Sequence, residues 1–546
     1  MTGAELLVRC LENEGVSTVF GVPGEETLGL MDALVDSPIR FVTCRHEQGA
    51  AFMADVWGRL AGRAGVCLGT LGPGAANLTT GVGDANLDRA AVVAITGQTG
   101  RDRIHKESHQ YVDVVDMFRP ITKWNTRLAI AGIIPEAVRK AFKVAEAEKP
   151  GACHLELPED VADEAVATGA VPLSTERPRR PSPDRPALRR AAELIDRARS
   201  PLIFAGNGVV RGHASAALRQ FAGRTGIPVA NTFMAKGCLP WSHELALGTI
   251  GLQMRDVVSC GFDRADLIVA AGYDPVEFAP RLWNADHAKT IVHIDFTPAE
   301  VDEDYQPAVE VVADIREVFD LLTDLVSVRR DPRGAGALHD WILNELSTGA
   351  TDIGFPLKPQ RVLHDLRKVL GPRDIVISDV GAHKLWVARL FQAEEPNTVI
   401  ISNGFAAMGI GLPGALAAKL LHPERRVVAV VGDGGLLMNI QELETAVRLA
   451  LAVVVVIFRD DAYGVIRWKQ LNRFGRESGV AFGNPDFVAL ARAFGCRGAR
   501  VEAADELVPA LESAFAGPGP CLLEVPVDYR ENLKLTERMG QLVCPI

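Results

Sequence analysis

Gly432-Asp433-Gly434-Gly435 follows directly on the apolar stretch RVVAVV. A buried strand that ends in Gly-Asp-Gly can bring backbone N–H groups close to a phosphate. The aspartate there is a hard oxygen ligand suited to a divalent cation. A second carboxylate, Asp460, stands 27 positions later, just after the apolar stretch AVVVVIF. Between them, LLMNIQELETAVRLAL has the apolar spacing of one helix. A strand, a right-handed helical crossover and a second parallel strand then put both aspartates at one edge of a sheet. Two carboxylates beside a diphosphate make a typical Mg²⁺ environment. A lone Gly-Asp-Gly is better explained as a helix cap. The second strand-end aspartate tips the reading to a metal.

The elements that must position these groups recur along the chain. ELLVRCLENEG reads as an amphipathic helix with Leu6, Leu7, Cys10 and Leu11 on one side. STVFGVPG, FVTC, AGVCLGT and AVVAITG then read as short strands, each followed by turn residues. A second unit has PLIFAGNGVV, GIPVAN, LIVAAGYD and TIVHIDF. A third has DIVISDVG, TVIISNG, RVVAVVGDGG, AVVVVIFRDD and PCLLEVPVD. Strands alternating with helices predict α/β architecture, with parallel sheets covered on both faces. The expected division is a first domain over 1–166, a Pro- and Arg-rich linker over 167–190, a central domain over 191–328, a second linker over 329–355 and a third domain over 356–546. Three doubly wound parallel-sheet domains account for the chain, with ligands at the carboxyl ends of their strands. Residues 397–418 carry no charge, but five glycines and prolines interrupt them, from Gly404 to Gly414. They read as a strand, a glycine-rich turn and a small-residue helix, not a membrane span.

The 546 residues carry 58 Lys+Arg and 69 Asp+Glu, a net charge of −11. About three domains suit this length. Hydrophobic residues at 48% and charged residues at 23% exclude disorder and collagen. The acidic balance argues against nucleic-acid and anionic-membrane partners. Nine scattered cysteines without metal-finger spacing fit buried thiols in a reducing cytoplasm. The N-terminus lacks a basic region followed by an apolar stretch, so no signal peptide is expected.

CRHEQGAAFMADVWGR, TLGPGAANL, HQYVDVVDMFRPITKW, YDPVEFAPRLWN, DGGLLMNIQELETAVR, YGVIRWKQ and ENLKLTERMG span most of the chain. Together with the Gly-Asp-Gly motif they resemble the large, catalytic subunit of acetolactate synthases, which use thiamine diphosphate and Mg²⁺. The resemblance is closer to the catabolic form than to the FAD-containing biosynthetic form. It implies a pyrimidine-binding first domain, a central domain and a diphosphate-binding third domain. It makes Glu47 the carboxyl group at the aminopyrimidine ring, favouring the imino tautomer that takes the thiazolium proton. Met408 matches the bulky residue that props the cofactor in a bent conformation. Gly381 and His383 match the turn on the diphosphate, with Gly434, Gly435, Tyr463 and Gly464 in the loops on its other side. Asp433, Asp460 and the carbonyl of Ala462 match the metal ligands. Gln110 falls near the reacting carbonyl and Gly24 near the pyrimidine. His109 and Lys106, in the same polar loop as Gln110, read more simply as solvated.

The implied reaction decarboxylates pyruvate and adds the hydroxyethyl unit to a second pyruvate, giving 2-acetolactate and CO₂. Each site is expected between the first domain of one subunit and the third of another, in a homodimer or homotetramer; whether a regulatory subunit binds is left open. Three departures stand out. GNGVVR lacks the third glycine of a dinucleotide loop, and AAGYDPVEFAPRLWN replaces the RFDDR-like segment of FAD-containing members, which counts against FAD. Arg459 replaces a usual asparagine; pairing with Asp461 and a place near the diphosphate are both open to it. Lys469 falls opposite the tryptophan of the biosynthetic enzymes, with Trp468 one position earlier. Other thiamine-dependent decarboxylases or carboligases, an FAD-dependent pyruvate oxidase-like enzyme and a non-catalytic paralogue remain as alternatives.

Overall fold

The computed structural model describes residues 1–167, 169–176, 178–251 and 257–533. Part of the ENLKLTERMG motif and Cys544 lie outside the described residues. Every apolar stretch read as a strand is one, and all strands in the sheets are parallel. The first sheet contains β1 (Thr18–Gly21), β2 (Arg40–Thr43), β3 (Gly65–Gly69), β4 (Val92–Gln98), β5 (Trp124–Arg127) and β6 (Ala152–Pro158). The central sheet contains β7 (Pro201–Ala205), β8 (Val229–Asn231), β9 (Ala246–Thr249), β10 (Leu267–Ala271), β11 (Thr290–Asp295) and β12 (Val309–Val312). The third contains β13 (Ile375–Ser378), β14 (Val399–Ile401), β15 (Val427–Gly432), β16 (Val454–Arg459), β17 (Arg497–Arg500) and β18 (Cys521–Pro526).

The first sheet runs β2-β1-β3-β4-β6-β5 and the third runs β14-β13-β15-β16-β18-β17. These orders are the same once each is numbered from its own first strand. The central order, β12-β11-β10-β7-β8-β9, is that of a dinucleotide-binding sheet. In the third sheet the order reverses between β13 and β15, so a crevice opens beyond their carboxyl ends.

Residues 397–418 form β14, a turn and the helix Gly411–Leu421, as their composition predicts. Two expectations change. LLMNIQELETAVRLAL is not one helix: the helices Asp433–Leu436 and Glu442–Arg448 flank a turn. Asn439 in that turn spends its side-chain N–H groups on the carbonyl of Gly409 (3.0 Å) and on Gln48 Oε1 (3.2 Å), contacts a straight helix would not allow. Segment 329–355, read as a linker, carries the helix Arg333–Ser347. Seven of the cysteines among the described residues are free and buried. Among the described residues no helix is long and apolar enough to cross a membrane.

The first and third domains of one chain share a hydrophobic core, built where the helix Glu47–Ala61 packs on the helix Gly411–Leu421. A charge cluster sits beside it. Arg59, with 4% of its side chain exposed, pairs with Asp55 (2.6 Å), Asp84 (3.3 Å) and Asp88 (3.1 Å) and donates to the carbonyl of Ile401. Ser402 and the backbone of Asn403 hold Asp84 and Asp88 from the third domain. Burial, then the neighbouring carboxylates, push Asp84 well above the usual carboxylate range. Arg59→Met strands three buried carboxylates and should cost about 3–5 kcal/mol, read as a lowered urea midpoint.

Candidate active site

The crevice at the reversal point is a cavity of about 340 Å³. Ten residues that the sequence points to for cofactor or metal line it: Gly381, His383, Met408, Asp433, Gly434, Gly435, Asp460, Ala462, Tyr463 and Gly464. They come from the loops after β13, β15 and β16 and from the turn before the helix Gly411–Leu421.

Asp433 is 1% exposed and does more than cap the short helix it begins. Its Oδ1 accepts the N–H of Gly434 (2.8 Å). Its Oδ2 accepts the N–H groups of Asp460 (3.2 Å) and Asp461 (2.7 Å) and the amide of Asn484 (2.8 Å). The two strand-end aspartates therefore meet, as the crossover requires. Burial, then repulsion from Asp433, push the Asp460 carboxyl up to about 8. A Cβ on Gly464 would come within 2.9 Å of Asp460 Oδ2 and push that carboxylate aside.

His383 is 2% exposed, and burial holds its imidazole neutral by lowering its pKa to about 3. Its Nε2 has no partner among the described residues. The Tyr529 hydroxyl, also on the cavity wall, has none either. Among the described residues no three His, Cys, Asp or Glu side chains gather as a metal site. Two carboxylates and a carbonyl suit a cation that takes its remaining oxygens from a diphosphate and water. The paired carboxylates and the glycine turns beside them fit a Mg²⁺-diphosphate group.

Glu47, Gly24 and Gln110 are not on this cavity. They lie at the carboxyl edge of the first sheet. Glu47 opens the helix Glu47–Ala61, is 8% exposed and accepts the amide of Asn77 at 3.0 Å. Gly24 follows β1, and its N–H bonds the Thr27 hydroxyl at 2.9 Å. Gln110 is exposed, at φ +56°, with its carbonyl against Gly72, where a Cβ would lie 2.5 Å away. His109 and Lys106 are exposed.

Arg459 does not line the cavity: it pairs with Asp461 (3.0 Å) and with buried Glu524. Both Trp468 and Lys469 line it, the tryptophan buried and the lysine exposed. The sequence reading missed Asp379, Asn484 and Tyr529. Asp379 is fully buried, and its carboxylate takes the N–H groups of Gly409 (2.9 Å) and Gly411 (3.3 Å), fixing the turn that carries Met408. Asp379 could have been found, because it ends a strand two positions before Gly381. Asn484 and Tyr529 sit in segments with no motif of their own.

Three family models match in chain order. They describe the N-terminal TPP binding domain of thiamine pyrophosphate enzymes over residues 1–117, their central domain over 188–322 and their C-terminal TPP binding domain over 379–525. An acetolactate synthase of Bacillus subtilis is 37% identical over 99% of this chain and 96% of its own length. This chain belongs to the thiamine pyrophosphate enzyme family. A catabolic acetolactate synthase of Raoultella terrigena is also 37% identical, over 99% of this chain and 97% of its own. A probable acetolactate synthase large subunit of Methanocaldococcus jannaschii is 36% identical, over 99% and 94%. As a thiamine pyrophosphate enzyme, the chain has its C-terminal TPP binding match centred on the crevice described above.

Proposed function

We propose that this thiamine pyrophosphate enzyme is an acetolactate-forming carboligase that joins two pyruvates with loss of CO₂. The observation that carries the reading is the single cavity that gathers Asp433, Asp460, Ala462, His383 and Met408. Similarity to three acetolactate synthases along nearly the whole chain supports the substrate. Asp433, Asp460 and the Ala462 carbonyl hold Mg²⁺. The turns at Gly381 and Gly434–Gly435 present N–H groups to the diphosphate, with His383 beside them in the cavity wall. Thiamine diphosphate, when bound, supplies the nucleophilic carbon and the electron sink for decarboxylation. Glu47 would hold a proton at the pyrimidine ring, Met408 would pack against the cofactor from the cavity wall, and Gln110 would donate near the reacting carbonyl. Leu385, Met408, Val465, Ile466 and Trp468 give the cavity an apolar wall, which keeps out water and its protons.

The split of the site residues between two sheet edges supports a dimer, or a tetramer made of two dimers, with Glu47 of one subunit facing Asp433 of the next. The central domain favours a reaction without FAD. Glu277 accepts the N–H of Asn207 at 3.0 Å and the Thr232 hydroxyl, so a carboxylate already occupies the donor of the turn that a dinucleotide would use. The test is product analysis with pyruvate, thiamine diphosphate and Mg²⁺, without FAD. Acetolactate is the expected product. Acetaldehyde alone would assign a decarboxylase, and peroxide with added FAD an oxidase.

A further inference from the structure

We propose that Arg459, Asp461 and Asn484 form a relay that orients Asp433 as a cation ligand. The inference rests on the Mg²⁺ reading of the cavity. Asn484 Nδ2 donates to Asp433 Oδ2 (2.8 Å) and to Asp461 Oδ1 (2.7 Å). Two carboxylates on one side allow only the NH₂ end of the amide to face them, so its rotamer is fixed. The Asn484 Oδ1 is accordingly left without a partner among the described residues. Asp461 is held in turn by Arg459 Nε at 3.0 Å. The other arm of Arg459 is anchored on Glu524, which is 1% exposed and lies within 2.9 Å of Arg500 as well. Backbone bonds seat the same segment: Tyr463 donates to Val480 (2.9 Å) and Phe482 to Asp461 (3.1 Å), so residues 480–484 lie along the β16 loop.

The effect falls on one oxygen. Oδ2 of Asp433 accepts three N–H groups, whereas Oδ1 accepts one. The relay saturates Oδ2 and leaves lone-pair capacity on Oδ1. It also fixes the carboxylate plane before any cation arrives. Partners of ligand side chains typically change metal affinity by about 10–100-fold. Arg459 and Asn484 are positioning residues in this account; neither lines the cavity, and Asn484 acts on it through Asp433.

The experiment measures Mn²⁺ uptake by the full-length protein in saturating thiamine diphosphate, from the loss of the free-ion magnetic resonance signal. Asn484→Ala should weaken Mn²⁺ about 10–100-fold. Arg459→Met should weaken it less. The double variant should be no weaker than Asn484→Ala alone, within about twofold, because one residue acts through the other. kcat at saturating Mg²⁺ should stay near wild type while half-saturating Mg²⁺ rises. A urea midpoint for each variant separates these shifts from lost folding. Wild-type affinity in Asn484→Ala overturns the relay, as do additive effects in the double variant. A wild-type protein that takes up no Mn²⁺ overturns the metal reading, and the relay with it.

Discussion

Glu47→Gln should bind Mg²⁺ and thiamine diphosphate as the parent does and yet form almost no product. Its carboxyl stands at the start of a helix, 3.0 Å from the Asn77 amide, on the edge of the first sheet. The cavity with Asp433 and Asp460 has no lining residue from that sheet. Affinity for metal and diphosphate is therefore set elsewhere, and a glutamine oxygen can still accept from Asn77. What the variant lacks is a group that can hold a proton and exchange it with the pyrimidine ring. Loss of a positioned acid–base group costs about 10²–10⁴-fold. The direct measurement is exchange of the thiazolium C2 proton for deuterium in the bound cofactor, followed by NMR. Exchange and acetolactate formation should fall together. Parent-like exchange would take Glu47 out of the mechanism.

The same variant tests how the site is assembled. Mixing Glu47→Gln with an Asp460 variant gives hybrid dimers in which one site has both intact residues, if each site draws on two chains. Two inactive proteins should then regain about a quarter of the parent activity, by random pairing in a two-fold dimer. No recovery after exchange of subunits would place both residues in one chain's site.

How far the sequence carries depends on burial. The strands readable as apolar runs include nearly all of the sheet interiors, among them β1, β3, β4, β7, β10, β13, β15 and β16. Four of the five strands not read from the sequence, β5, β9, β12 and β17, are sheet edges. WNTR and RGAR are only partly buried or exposed, so they lack the apolar run that signals a strand. The fifth, β6, is interior but carries His154 and Glu156, each paired inside the domain, with Thr96 and Gln98 respectively. The site divides in the same way. Asp433, Asp460 and the glycine turns follow readable strands. Asn484 reaches Asp433 across 51 positions, and local spacing holds no trace of that contact. The break at Asn439 is a tertiary effect too, made by Gly409 and Gln48.

Asp460→Asn should move stability and metal binding in opposite directions. In the metal-free protein burial, then the charge of the neighbouring Asp433, push the Asp460 carboxyl up to about 8. Near pH 7 that carboxyl takes up a proton on folding, a cost that an asparagine does not carry; Arg467 offsets part of the shift but ranks below Asp433 among its causes. The variant should unfold later in urea by about 1 kcal/mol, a figure reduced for the partial exposure of the group. Mg²⁺ reverses the order. The cation turns the repulsive pair into a ligand pair, and an amide oxygen is a far weaker hard-ion ligand than a carboxylate. Affinity for Mg²⁺ with thiamine diphosphate should fall by at least about 100-fold, more than the loss of an outer partner such as Asn484. The rise in melting temperature on adding both should vanish, because stabilisation by a ligand follows its affinity for the folded state. A variant that is less stable without metal would mean that Asp460 is held by partners inside the fold. It would then be a structural aspartate, and the metal would rest on Asp433 and the Ala462 carbonyl.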